Sequence, residues 1–167
     1  MTVVRSRSGR HASHRNRAVT DVDRPTLVRS VGPSQLVWLN GGVLIDQDHV
    51  VAELRAEFDR YEAALLANDV DAMNDQFWAD PRTTRYGLAD LQHGFDEVVA
   101  WRRDAAPVPT TRRHERVAVT TFGDDLGVVT CEFRNGDDPH LGRQTQVWAR
   151  LPEGWRVVSA HVSSVDS

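Results

Sequence analysis

Three turn signals cut the C-terminal half of the chain into four stretches of comparable length, and that division constrains the fold most. Gly123-Asp124-Asp125, Asn135-Gly136-Asp137 and Pro152-Glu153-Gly154 are built from residues that tolerate positive φ or interrupt a ladder. Between them, 112–122, 126–135, 141–151 and 155–164 alternate apolar and polar residues with the period of a half-buried strand. Short links between successive strands make antiparallel neighbours, so the expectation is a four-stranded antiparallel meander.

Helices precede it. Val51, Leu54, Phe58, Tyr61 and Leu65 recur at spacings of three and four, which places one apolar stripe on a helix over 48–66. Asp46 or Asp48 is the expected N-cap, Asn68 the stop, and Asp69 the cap of a second short helix over 69–77. Glu53, Arg55, Glu57, Arg60 and Glu62 lie off the stripe and read as solvated, at least the outermost of them. Gly94 opens a third helix over 94–105, with Phe95, Val98, Val99 and Trp101 as packing residues and Pro107 and Pro109 beyond its end. Helices followed by a run of strands indicate an α+β domain.

Between the second and third helices lies Phe77-Trp-Ala-Asp-Pro-Arg-Thr-Thr-Arg-Tyr-Gly87. Pro81 cannot continue a helix, and Arg82–Tyr86 has the β-branched and aromatic content of a short strand, with Leu91–His93 as its return. Strand alternation puts Thr83 and Arg85 on one face and Arg82, Thr84 and Tyr86 on the other. One arginine of the pair is therefore free to face inward.

Composition narrows the chemistry. All 20 basic residues are arginine, so a lysine Schiff base or lysine general base is ruled out. The single cysteine, Cys131, excludes an internal disulfide and a multi-cysteine metal site; its apolar neighbours make it a buried strand residue. Seven histidines are scattered without ligand spacing, and no Gly-rich phosphate loop or nucleophile elbow appears. No metal or organic cofactor is expected. No apolar run approaches the roughly 18–20 residues that span a bilayer, so no membrane association is expected.

Residues 1–35 carry seven arginines and two aspartates, a formal +5, against thirteen arginines and twenty-two acidic residues in 36–167, a formal −9. An acidic body argues against nucleic acid as a partner. The arginine- and serine-rich start has no apolar h-region, so it is not a secretory signal. It reads as a disordered basic extension over 1–40, with a transit peptide, a docking arm or an upstream mis-start as other readings. The folded domain is expected over 41–167, in the cytoplasm.

Three groups could carry chemistry. Tyr61 is a phenol on the buried stripe, or simply a core tyrosine with a satisfied hydroxyl. Arg85 or Arg82 is an inward guanidinium, or an ordinary exposed strand charge. His161 and Ser163 share a face of the last strand, opposite Val158, Ala160 and Val162, and read as pocket polar groups or as the sheet's outer polar face. Gln144, Gln146 and Trp148 share one face of the preceding strand and could line a polar pocket.

Four blocks, Arg60–Asp69, Phe77–Gly87, Gly142–Trp148 and Gly154–Ser163, stand in the order and spacing that resemble the AtzH-like family. That group lies within the nuclear-transport-factor-2-like (NTF2-like, SnoaL-like) cone fold and includes the oxalurate catabolism protein HpxZ. The likeness covers about residues 45–165. It implies a curved antiparallel sheet wrapped around helices, a pocket in the cone, and a homodimer. It further implies action on a small carboxylated substrate: the family's characterised enzyme acts on dicarboxyurea, and its proposed catalytic tyrosine and arginine fall on Tyr61 and Arg85. Other relatives are encoded with amidases, so an amidase accessory or a non-catalytic small-anion binder is the alternative function.

On this reading Arg85 grips a carboxylate with its planar fork. Tyr61, with an ordinary pKa of about 10, donates its proton, and a nearby arginine lowers that pKa. Trp78, Gln144, Gln146, His161 and Ser163 are the expected substrate contacts.

Overall fold

A computed structural model describes residues 42–166; the expected basic extension over 1–40 lies outside them. Helix α1 spans Asp48–Ala67, α2 Val70–Asp75 and α3 Phe95–Asp104. The strands are β1 Thr84–Tyr86, β2 Leu91–His93, β3 Arg112–Phe122, β4 Leu126–Asn135, β5 Leu141–Leu151 and β6 Gly154–Val165. They form one open six-stranded sheet in the order β2-β1-β6-β5-β4-β3, with the helices packed on its inner face. The α+β expectation holds.

The four long strands pair antiparallel in chain order, as the turns require. One pairing differs from the expected all-antiparallel sheet: β1 lies parallel to β6, while β2 turns back on β1 antiparallel. The chain reaches β1 from α2 and enters the edge left free by β6, where direction is set by the helical approach and not by a hairpin. Phe77 starts that approach with an isolated parallel bridge to Val157.

Helix boundaries follow local chemistry. Asn68 adopts the left-handed conformation at φ 53° and closes α1, and the Asp69 side chain accepts the Ala72 amide at 3.0 Å to cap α2. The start of α1 departs from expectation. Gln47 is its N-cap and makes no side-chain cap bond. Asp46 instead exchanges bonds with Thr121, its N–H donating to the carbonyl at 3.1 Å and its carboxylate accepting the amide at 2.8 Å. That clamp ties the start of α1 to the end of β3.

The buried stripe of α1 begins at Val50 rather than Val51 and continues through Leu54, Phe58 and Tyr61. Each fully buried aliphatic or phenyl group there contributes about 1.5–3 kcal/mol. Gly127 lets the helix approach, since a Cβ there would overlap the Leu54 side chain.

Two β-bulges set which residues face the helices. In β3 the pairing shifts between His114 and Arg116, so Arg112 and His114 face inward with Val117 and Val119 despite the odd spacing. In β6, Val157 stands opposite Trp148 and Ser159 opposite Val147, which leaves Val158 as the extra residue. Trp155, Val157 and Ala160 are therefore all buried on the helix side, and the expected inward grouping of Val158 with Ala160 is corrected. Cys131 is buried, as its neighbours predict, and burial pushes its thiol up to about 12.

Candidate functional site

Between the inner sheet face and the three helices lies a cavity of about 240 Å³, below the ~300 Å³ at which most small-molecule sites begin. Its floor is apolar, from Met73, Phe77, Phe133, Ala160 and Val162. Its polar groups come from six elements or their loops: Tyr61 on α1 and Asn68 just after it, Arg85 and Asp90 at β1 and the turn after it, Arg102 on α3, Arg112 on β3, Asn135 at the end of β4, and Gln144 and Gln146 on β5.

Tyr61 is 6% exposed and tilts against the Phe77 ring with centroids 6.0 Å apart. Burial raises its pKa, and the neighbouring Arg102, Arg85 and Arg112 do not overcome that effect. The expected downward shift is therefore reversed: a phenolate in this low-dielectric site loses more hydration than the arginines return. At neutral pH Tyr61 is a proton donor.

Arg85 is the inward member of the arginine pair, its side chain 12% exposed against 74% for Arg82. Its Nη1 donates to Asp90 at 2.5 Å and to the Gln92 side-chain oxygen at 2.9 Å, and its guanidinium lies 3.5 Å from the Trp101 ring centroid. The plane of the fork is thus fixed from one edge and one face.

Arg112 belongs to a closed ring of buried polar groups. It donates to Glu62 at 3.1 Å and to Gln144 at 3.2 Å, and Gln144 donates to the other Glu62 oxygen at 2.9 Å. His114 adds a contact to Glu62 at 3.0 Å. Burial pushes the Glu62 carboxyl up, but His114, Arg112 and Gln144 together hold it below the ordinary range. The Phe133 ring lies 3.5 Å beneath the Arg112 guanidinium and fills the space over Gly142, where a Cβ would overlap it.

Arg102 is 4% exposed. Its Nη1 donates to the Asn74 side-chain oxygen at 2.7 Å and its guanidinium sits 4.7 Å from the Phe77 ring centroid. Tyr61 lies beside it and favours its charged form, and Nη2 has no hydrogen-bond partner among the described residues. Burial lowers its pKa.

Of the residues singled out in the sequence, Tyr61, Arg85, Gln144 and Gln146 meet in this cavity. Trp78, His161 and Ser163 do not line it. Trp78 stacks on Arg82, 4.5 Å from its guanidinium, while Arg82 pairs with Asp80. The β6 bulge turns His161 to the outer face, edge-on to Tyr86 at 6.2 Å, and Ser163 lines a separate depression with Asp138 and His140. The sequence reading missed Glu62, Arg102 and Arg112. Spacing held a signal for two of them: Glu62 follows Phe58 by four residues and Arg102 follows Val98 by four, which sets each beside a core residue.

The AtzH-like family model matches residues 43–167. The chain belongs to the AtzH-like family. A cystatin-like fold protein from Burkholderia xenovorans LB400 is 48% identical with a TM-score of 0.74, the match covering 75% of this chain and 99% of that one. A protein of unknown function from Pectobacterium atrosepticum SCRI1043 is 38% identical with a TM-score of 0.72, covering 75% and 100%. An NTF2-like protein from Pseudomonas putida KT2440, at 18% identity and TM-score 0.59 over 70% of this chain and 87% of that one, shares the fold. No curated protein matches the chain. The AtzH-like domain is thus an NTF2-like α+β fold, and no helix among the described residues is long and apolar enough to cross a membrane.

Proposed function

We propose that this AtzH-like protein is a cofactor-independent hydrolase of a small carboxylated urea or amide of the dicarboxyurea type. The observation that carries the reading is the convergence of a protonated phenol, Tyr61, with guanidiniums exceeding carboxylates in one small cavity. Three arginines line it, against Asp90 in the wall and Glu62 behind it. Such a cavity favours an anion, and in a site sheltered from water each charge-assisted bond contributes about 1.5–3 kcal/mol.

The reaction adds water across a carbon–nitrogen bond. Tyr61 donates to the urea carbonyl oxygen or the departing nitrogen, and Arg85, locked by Asp90 and Trp101, presents its remaining donors to the planar substrate. The nitrogen leaves protonated, and any N-carboxylate released as carbamic acid loses carbon dioxide. A cytoplasmic role in oxalurate or cyanuric acid breakdown, alongside an amidase, goes with this reading. So does a homodimer through the sheet's uncovered outer face. Light scattering at micromolar concentration checks the dimer.

One observation favours binding without turnover. Asp90, the carboxylate in the cavity wall, is already held by Arg85 and Gln92, which leaves no free general base among the described lining residues. Dicarboxyurea, carboxybiuret, allophanate and oxalurate, assayed for ammonia and carbon dioxide release, separate the two. Release from any of them supports the hydrolase. Saturable binding without release supports a small-anion binder or amidase accessory.

A further inference from the structure

The three guanidiniums of the cavity are not equally committed. Arg112 has Glu62 and Gln144. Arg85 has Asp90 and Gln92 on one edge and Trp101 on its face. An incoming carboxylate on Arg85 would sit beside Asp90, and like charges at that range repel. Arg102 has neutral neighbours alone, the Asn74 amide at Nη1, the Phe77 ring below and the Tyr61 phenol beside it, with Nη2 unpartnered and no ion pair to any carboxylate among the described residues. A cation buried this deeply without a counter-charge is costly to the fold. An apolar residue four positions after Val98 would pack there at no such cost.

We propose that Arg102 is the carboxylate receptor of this cavity, with Asn74 and Phe77 fixing the plane of its fork and the substrate's carboxylate supplying the missing counter-charge. The proposal rests on the reading of the cavity as a carboxylate site and says which arginine does the binding. Arg85 then holds the other end of the substrate. Because Tyr61 lies beside Arg102, the bound carboxylate also comes within reach of the phenol.

Calorimetric titration with oxalurate and with oxaluramide, its uncharged amide, tests this in the unsubstituted protein, Arg102→Gln and Arg85→Gln. The unsubstituted protein should bind oxalurate in preference to oxaluramide. Arg102→Gln should lose oxalurate affinity by about 10–150-fold, the range of a charge-assisted bond, keep its oxaluramide affinity, and lose more than Arg85→Gln does. Unliganded Arg102→Gln should melt at the same temperature or higher, because a lone buried charge is gone; a purely structural arginine predicts a lower one. Should Arg102→Gln fold poorly, Arg102→Lys keeps the charge and should retain part of the preference for oxalurate.

The inference is overturned if Arg102→Gln binds oxalurate as the unsubstituted protein does, or if it loses both ligands equally. An unsubstituted protein that shows no preference for the charged ligand overturns the carboxylate reading itself, and the inference with it.

Discussion

Glu62 and Arg112 pair at 3.1 Å across the interior, one on α1 and the other at the start of β3, both nearly sealed from water. The pair orients Gln144 toward the cavity and holds the first helix against the sheet. Removing one partner strands the other charge in a low-dielectric site, which costs about 3–5 kcal/mol. Glu62→Gln should therefore lower the urea midpoint strongly, while the double replacement Glu62→Leu with Arg112→Leu should recover much of the loss. Chemical denaturation of these proteins and of the two single leucine variants checks this, and an additive double mutant would refute the coupling.

Acid should reveal the same carboxylate. The folded pKa of Glu62 is depressed below the ordinary value of 4.5, so the unfolded chain takes up a proton first as pH falls. Its stabilisation is complete above that ordinary value and is lost as pH drops below it through the lowered folded pKa. Melting temperatures followed downward from neutral pH should fall steeply in the unsubstituted protein and less so in Glu62→Gln.

For Tyr61 the sign is opposite. Its folded pKa is raised above 10 by burial, so the protonated phenol stabilises the fold below about pH 10 and that contribution disappears as pH rises through the folded value. The difference in ultraviolet titration between the unsubstituted protein and Tyr61→Phe should show a phenol that ionises later than free tyrosine. An early-ionising phenol would mean that the arginines outweigh burial.

If turnover is found, Tyr61→Phe should reduce it by about 10²–10⁴-fold with little change in stability. Arg85→Lys keeps the charge but gives up the planar stack on Trp101 and the geometry shared by Asp90 and Gln92, so its rate should fall too. Arg82→Ala should leave kinetics unchanged, since Arg82 is exposed and tied to Asp80. Steady-state assays of the three variants decide this, and full activity in Tyr61→Phe would make the hydroxyl merely structural.

Much of this architecture was readable from spacing alone. The turns at Gly123, Asn135 and Pro152 placed the four long strands, and Asn68, Asp69 and Gly94 placed the helix ends, because each acts on its own few residues. Arg85 was legible as one of two arginines on opposite faces of a strand. What stayed hidden depended on distant partners. Glu62, Arg102 and Arg112 look like solvated charges until Gln144, Asn74 and Phe133 arrive from elsewhere in the chain. The parallel seat of β1 beside β6 likewise depends on which sheet edge is vacant, and no local pattern records that. His161 and Ser163 share the face opposite Ala160 and Val162, as alternation gives, but only the bulge at Val158 shows that theirs is the outer face.

That extra residue makes chain length, not side-chain identity, the sensitive variable in β6. Excising Val158 would leave Trp155, Val157, Ala160 and Val162 looking inward and every cross-strand partner in place, removing only a local kink. Excising a neighbouring position without closing the bulge would turn the strand beyond it over, exchanging Ala160 and Val162 at the cavity floor for His161 and Ser163. A dry floor and an imidazole-bearing one are thus one codon apart, a short route by which a scaffold of this kind could change its chemistry without redesigning its core.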